Sequence, residues 1–317
     1  MGSADDPYLL PNGTLRNKLG ITDPSRLSQA EADRVAVREL ALRGRLPKPP
    51  FNFSTLQAIH RELFQDLYDW AGQPRTTVLA KREYDHPASP VQGFAAPGAI
   101  ATEAGQTFQR LADRNFLART SRAAFAQGAT EALAGLNRVH PFREGNGRTQ
   151  RLLIAALAQY AGHEVAFDFI TRERMIAVSV AAHKGDPSGI RRMFDETLDP
   201  RQVEAMRTAL GFLDRSGFAW NDQYIATTRA GQDYAGVVVG RAGSDFILRE
   251  DPGPGGARIL IGDTGDLPSS AKARDRINIR ASQFPVSDDP PVPRPKGQAS
   301  PLTPAKPKRR RDPGPGF

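Results

Sequence analysis

The chain has no cysteine among its 317 residues. Disulfides, thiolate nucleophiles and cysteine-ligated metal sites are therefore excluded, and the composition suits a reducing cytoplasm. No stretch reaches the roughly eighteen consecutive apolar residues of a membrane-spanning helix, so no membrane partner is expected. Met1-Gly-Ser-Ala-Asp-Asp lacks the charged-then-apolar pattern of a secretory leader. No internal repeat is visible. The charge balance is not neutral, at a formal +8, but half of that is local. Val286 to Phe317 carries seven basic residues against three acidic ones, a net of +4. What remains is mildly basic, and a basic tail is not a nucleic-acid groove.

What is present falls into three textures. Asp23-Pro24-Ser25 caps an Ala/Glu/Arg/Leu-rich helix that ends at Gly44. After Pro47, Pro49 and Pro50, Ser54 is expected to cap a second helix, with Leu56, Ile59, Leu63, Phe64 and Leu67 at helical spacing. A β-prone stretch, Thr76–Leu79, leads into a Pro/Gly-punctuated loop up to Pro97. Helices are expected over 99–118, 121–139, 152–161, 171–183 and 187–198, then a connector over 200–214. Five short β-type runs follow, at 224–228, 236–239, 245–249, 258–261 and 277–280, a spacing that suggests a small barrel of the OB type. Ten of the 26 prolines lie from Pro285 onward. That composition buries too little apolar surface to order itself and reads as a disordered tail.

Residues 140–151 read His-Pro-Phe-Arg-Glu-Gly-Asn-Gly-Arg-Thr-Gln-Arg. Pro141 disfavours a continuous helix. Gly145 and Gly147 let backbone N–H groups approach a ligand, and Asn146 tolerates left-handed geometry. A helix that follows such a loop turns its positive dipole end towards it, which suits an anion. Arg148 and Arg151 add donors for phosphate oxygens. Glu144 beside phosphates is a candidate Mg²⁺ ligand. His140 is placed to take a proton from an attacking hydroxyl. The other reading of these residues is a structural loop leading into a helix.

The same string resembles the Fic signature, His-Pro-Phe-x-Asp/Glu-Gly-Asn-Gly-Arg-x-x-Arg, at every defined position. His60–Arg75 resembles the helix that precedes the family's β-hairpin flap. Tyr8–Asp23 is similar to the lead-in of Fic effectors of type IV secretion systems, and Trp220–Thr228 and Gly236–Gly243 to the OB module of those effectors. The resemblance covers roughly residues 8–282. It implies a protein adenylyltransferase that moves AMP from ATP, its substrate, to a Tyr, Thr or Ser hydroxyl. By position the base is His140 and the Mg²⁺ ligand Glu144. Gly145, Asn146, Gly147, Arg148 and Arg151 bind the phosphates, Phe142 anchors the loop, and Lys81 is the flap residue near the nucleotide. Glycine at 147, where the phosphorylating Doc branch has lysine, favours AMP transfer, with a CDP-choline donor as an alternative.

The expected architecture is a mostly α Fic core over 8–199 with a flap over 75–95, a connecting helix over 200–215, a small all-β OB-like barrel over 216–284 and a disordered basic tail over 285–317. The partner is a target protein held by the flap as an added strand. The β-prone runs interleave few aromatics with basic residues, which argues against nucleic acid. The family's inhibitory pattern, Ser/Thr-x-x-x-Glu-Gly/Asn, is absent, since the one Glu-Gly, Glu144-Gly145, follows His140 at the fourth place before it. Restraint by a separate antitoxin-like protein, or by compartment, is expected instead. The expected location is the cytoplasm, with secretion into a host cell by a type IV system as the further possibility. Lys306–Arg311 reads as a solvated tail, a secretion signal or a nuclear-import signal. His60 reads as a packing or capping residue, and His86 as solvated. The rival to an enzyme is a Fic-fold binding module without turnover.

Overall fold

The computed structural model describes residues 6–82, 91–252, 257–282 and 284. The flap segment 83–90, with His86, and the tail 285–317, with Lys306–Arg311, lie outside the described residues. The chain divides into two compact units, one up to Glu164 and one from Val165.

The first unit holds α1 (Pro24–Arg43), α2 (Phe53–Phe64), α3 (Ile100–Asp113), α4 (Arg122–Val139) and α5 (Asn146–Ala161), with a two-stranded hairpin, β1 (Ala80–Arg82) and β2 (Val91–Gly93). The Asp23 carboxylate accepts from the Arg26 N–H at 2.8 Å and Pro24 opens the first turn of α1. The cap of α2 is Asn52 rather than Ser54. Its side chain accepts from the Thr55 N–H at 2.9 Å while the Thr55 hydroxyl takes the Asn52 N–H at 3.2 Å, a reciprocal box that only Thr55 at the third position completes. Leu152, Leu153, Ile154, Ala156, Leu157 and Ala158 are all buried, so the middle of α5 is apolar on most of its circumference. It packs against α2 and α4 as the central rod of the unit.

The hairpin is antiparallel, with Lys81 opposite Gln92. The β-prone Thr76–Leu79 is not a strand. The Thr77 carbonyl is taken by the Arg75 guanidinium at 2.8 Å, so it is not available to a ladder. Along the hairpin Leu79 is buried while Ala80 and Val91 are exposed, the alternation of a pair with one covered face.

The second unit holds α6 (Arg172–His183), α7 (Ser188–Leu198), α8 (Pro200–Arg215) and five strands, β3 (Tyr224–Thr227), β4 (Asp233–Ala242), β5 (Asp245–Glu250), β6 (Arg258–Asp263) and β7 (Arg276–Arg280). Helices α6 and α7, inside the 8–199 span expected for the catalytic part, group with this unit. The strand order is β3-β6-β5-β4-β7, with β3 and β6 parallel and the other pairs antiparallel. The expected OB-like barrel is therefore corrected to an open mixed sheet. Closure needs β3 to bond β7, and these two are the edges. Both faces are already covered. Ala205, Met206, Ala209, Leu210 and Leu213 of α8 pack on Ile225, Ile247, Ile259 and Ile261. Leu267 and Ala271 cover Ala226, Phe246, Leu248 and Leu260 on the other side. A sheet with two covered faces gains no core by curling. At Gly240 the ladder slips by a residue, and an added Cβ would lie 2.4 Å from the Phe212 ring of α8. No helix among the described residues is long and apolar enough to cross a membrane.

Candidate active site

The 140–145 loop runs from the end of α4 into the start of α5, and each of its bends has a local cause. His140 caps α4 with φ 47° and ψ 63°, its N–H still donating to the Leu136 carbonyl at 2.9 Å. A right-handed helical conformation is disfavoured just before Pro141, so the helix stops here. Gly145 has φ 83°, and a Cβ there would stand 2.3 Å from the Phe64 ring. Only glycine fits. Asn146 closes the loop with both ends of its amide, accepting from the Phe142 N–H at 3.0 Å and donating to the Phe142 carbonyl at 2.8 Å. Its side chain is thus committed to the loop, and any contact it offers a phosphate comes from its backbone. Phe142 is fully buried.

His60 braces the loop from α2. Its ring stacks on Phe142 at 3.9 Å and on Phe64 at 4.7 Å between centroids. The Gly72 N–H donates to Nδ1 at 2.8 Å, so the proton is assigned to Nε2, which donates to the Glu144 carbonyl at 2.9 Å. Burial pulls its pKa down to about 3, with the Glu144 carbonyl opposing and Arg148 adding to the fall. His60 is a neutral strut. The imidazole of His140, 5% exposed, instead stacks on Phe94 at the flap's exit, 4.1 Å between centroids.

The charged groups converge on the start of α5. Glu144 is 6% exposed, and its Oε1 accepts from the Gly145 N–H at 3.0 Å. Lys81 Nζ from β1 lies 3.8 Å from Oε2, and Arg148 Nη2 lies 3.9 Å from Oε1. Arg148 lies over the Phe64 ring at 4.9 Å and bonds Glu31 of α1, which also accepts from the Tyr68 hydroxyl. Burial opposes that guanidinium's charge, but Glu31 and Glu144 outweigh it and raise the pKa. Arg151 is half-buried. Among the described residues it makes no hydrogen bond or ion pair, and burial lowers its pKa against the pull of Glu39, with Arg148 and Arg43 pushing the same way. No side chain caps α5, so its first N–H groups face the loop as an anion nest. Gly147 lies in that first turn.

Sequence reasoning missed two residues that organise this cluster. Arg75 donates to carbonyls on both the flap and the His140 bend, and Glu31 holds Arg148. Glu31 carries no signal in the sequence beyond being one acid on a charged helix. Arg75 ends the Gly72-Gln-Pro-Arg turn and could have been singled out as an arginine beside a turn.

A metal at this site would have one acidic side chain to lean on. Among the described residues no group of three or more His, Asp or Glu side chains is placed to hold a metal. That donor set does not suit zinc, but it does suit Mg²⁺, which keeps waters and takes ligands from substrate phosphates.

Residues 50–158 match the Fic/DOC family model. A probable protein adenylyltransferase of Sinorhizobium fredii, y4lH, is 38% identical over 198 residues, which are 60% of this chain and 97% of that protein. The chain belongs to the Fic/DOC family. A protein adenylyltransferase of Bartonella henselae is 33% identical over 287 residues, 86% of this chain, and the chain spans about half, 52%, of that relative's length. Among solved structures, this Fic chain is similar to the type IV secretion system effector protein BepA, with a TM-score of 0.76 and 30% identity over 87% of this chain and 96% of that one. It is also similar to BepC of Bartonella tribocorum with bound AMPPNP, with a TM-score of 0.55 and 32% identity over 60% of this chain and 95% of that one.

Proposed function

We propose that this Fic protein is a protein adenylyltransferase, which moves AMP from ATP to a Tyr, Thr or Ser hydroxyl of a target protein. The observation that carries the reading is the convergence of His140, Glu144, Arg148 and Arg151 with the start of α5 in and around one short loop. The relatives named protein adenylyltransferases, and the related BepC structure with AMPPNP, support ATP as the donor.

The triphosphate lies against the turn of Gly145, Asn146 and Gly147, the N–H groups of Asn146 and Gly147 facing it while Glu144 holds that of Gly145, and the dipole of α5 favours negative charge there. Arg148 and Arg151, whose side chain makes no hydrogen bond or close ion pair among the described residues, neutralise its oxygens. Glu144 would hold Mg²⁺, which supplies charge neutralisation on the phosphates when bound. The target hydroxyl oxygen forms a bond to the α-phosphorus, and the bond from that phosphorus to the bridging oxygen of the β-phosphate breaks. The hydroxyl proton passes to His140, and pyrophosphate leaves. Positioning and electrostatics do most of this work. The hairpin of β1 and β2 holds the target as an added strand, with Lys81 turned to Glu144 on its covered side. Restraint comes from a separate antitoxin-like protein. The chain resides in the cytoplasm, and the likeness to BepA supports delivery into a host cell by a type IV system.

The test uses the purified chain with Mg²⁺, ATP labelled in its adenine ring, and lysates of bacterial and eukaryotic cells, beside a His140→Ala control. The expected result is labelled protein bands that vanish in the control. Label from a cytidine nucleotide but not from ATP would move the donor. No label from any donor would make a non-catalytic binding module the better account.

A further inference from the structure

Arg75 sits where the flap's neck meets the bend that carries the base. It is 2% exposed. Its Nε donates to the His140 carbonyl at 2.9 Å, Nη1 to that of Thr77 at 2.8 Å, and Nη2 to those of Val139, at 3.2 Å, and Ala95. Its own N–H donates to the Pro141 carbonyl at 2.8 Å. Thr77 and Ala95 are the two sides of the neck below β1 and β2. Val139, His140 and Pro141 form the bend.

Among the described residues every hydrogen bond of this guanidinium goes to a backbone carbonyl. A buried cation without a carboxylate is costly, and burial pulls the Arg75 pKa down, with Tyr8 opposing. The donors form a rigid planar fork, which fixes the carbonyls it serves relative to one another. The fork therefore fixes four backbone carbonyls, two on the flap and two at the bend, and the backbone N–H adds a third at the bend. His140 sits in a left-handed conformation that a residue with a side chain adopts only when its surroundings impose it. The Phe94 ring, one residue before Ala95, completes the tie by stacking on His140.

The phosphate loop is held by other means. Asn146 clasps Phe142, His60 takes the Glu144 carbonyl, and Gly145 lies against Phe64. None of these contacts involves Arg75.

We propose that Arg75 is a positioning residue for group transfer, locking His140 in its bend and setting the flap neck against it so that base and target strand keep one register. The proposal rests on the reading of His140 as the base. It predicts a separation in which loss of the fork costs turnover and target recognition while nucleotide binding stays.

The experiment compares wild type with Arg75→Lys, which keeps the charge but cannot span the carbonyls. Calorimetric binding of ATP is expected to stay within about threefold, since its loop is held separately. Turnover on a labelled target is expected to fall on the order of 100-fold, the scale of a roughly 1 Å misplacement of a reacting group, with a raised KM for the target. Amide exchange needs no turnover and reads the coupling directly. Exchange at 77–80, 93–95 and 138–142 is expected to rise together by about tenfold, with 144–151 unchanged. A wild type that labels nothing while the exchange pattern appears would sink the adenylyltransferase reading and leave the coupling standing. Equal turnover in Arg75→Lys, or loss of ATP binding along with turnover, overturns the proposal. If Arg75→Lys does not fold, Arg75→Gln takes its place, and failure of both to fold would make Arg75 a residue of the fold alone and overturn it too.

Discussion

Arg174 on α6 in the second unit is fully buried and Arg151 on α5 in the first is half-buried, and the two charges are answered differently. Arg174 is fully buried with an ion pair to Glu196 at 2.5 Å and a bond to the Ile225 carbonyl at 3.0 Å. Arg192 joins Glu196 at 2.8 Å, so α6, α7 and β3 are tied through one carboxylate. Burial alone would raise the Glu196 pKa, and the two arginines outweigh it and hold it below the usual carboxylate range. Arg151 has no such answer among the described residues, and its pKa falls instead. A buried charge paired with a carboxylate has its counter-charge within the fold. A charge left open is a cost that a ligand can remove, which is how functional sites differ from structural ones.

The difference can be broken from either side. Glu196→Leu strands Arg174 and Arg192, and unfolding free energy is expected to drop by about 3–5 kcal/mol by thermal or denaturant melting. The double change Arg174→Met with Glu196→Leu should recover much of that loss, because the fully buried charge is then gone and only Arg192, which is partly exposed, has lost its carboxylate. A double variant as unstable as the single one would show that Glu196 acts by packing. Arg151→Gln is expected to behave the opposite way. Stability should hold or rise slightly, while ATP affinity falls by about 1.5–3 kcal/mol, the worth of hydrogen bonds to a charged group, as read by calorimetry. Lost stability with unchanged ATP affinity would make Arg151 a structural residue like Arg174.

The smallest effect sharpens the comparison through pH. His60 has its pKa depressed from 6.5 to about 3 by burial. The unfolded chain therefore binds a proton below pH 6.5 that the folded chain refuses. Stability from this group is complete above pH 6.5 and declines as pH falls towards 3, by about 1 kcal/mol over the first unit below 6.5. His60→Gln removes that slope whatever it does to stability at neutral pH. A slope that survives the substitution would assign it to other groups.

The site was more legible in the sequence than the sheet, for a physical reason. Residues 140–151 are one continuous stretch, and the end of α4 before Pro141 and the turn at Gly145, which has no Cβ, both have local causes. The helices were legible too, because Leu56, Ile59, Leu63 and Phe64 repeat at helical spacing and are all buried. The closing of the sheet was not. Whether β3 meets β6 or β7 depends on pairings across tens of residues, and the pattern of short strands is the same in an open sheet and a barrel. Arg75 and Glu31 escaped for a related reason, since their partners are backbone carbonyls and a distant arginine that no spacing announces. At Asn52 and Ser54 two capping residues stand two positions apart, and Thr55 decides between them.

The central claim, that the triphosphate is seated so that its α-phosphorus faces the target hydroxyl and His140, is tested most directly by asking which phosphate travels. Parallel reactions would supply ATP labelled at the α-phosphate and at the γ-phosphate to the wild-type chain and to His140→Ala. The account predicts protein label from the α position alone, absent with His140→Ala. Label from the γ position in a target protein would mean phosphorylation by a reversed nucleotide and would contradict the account.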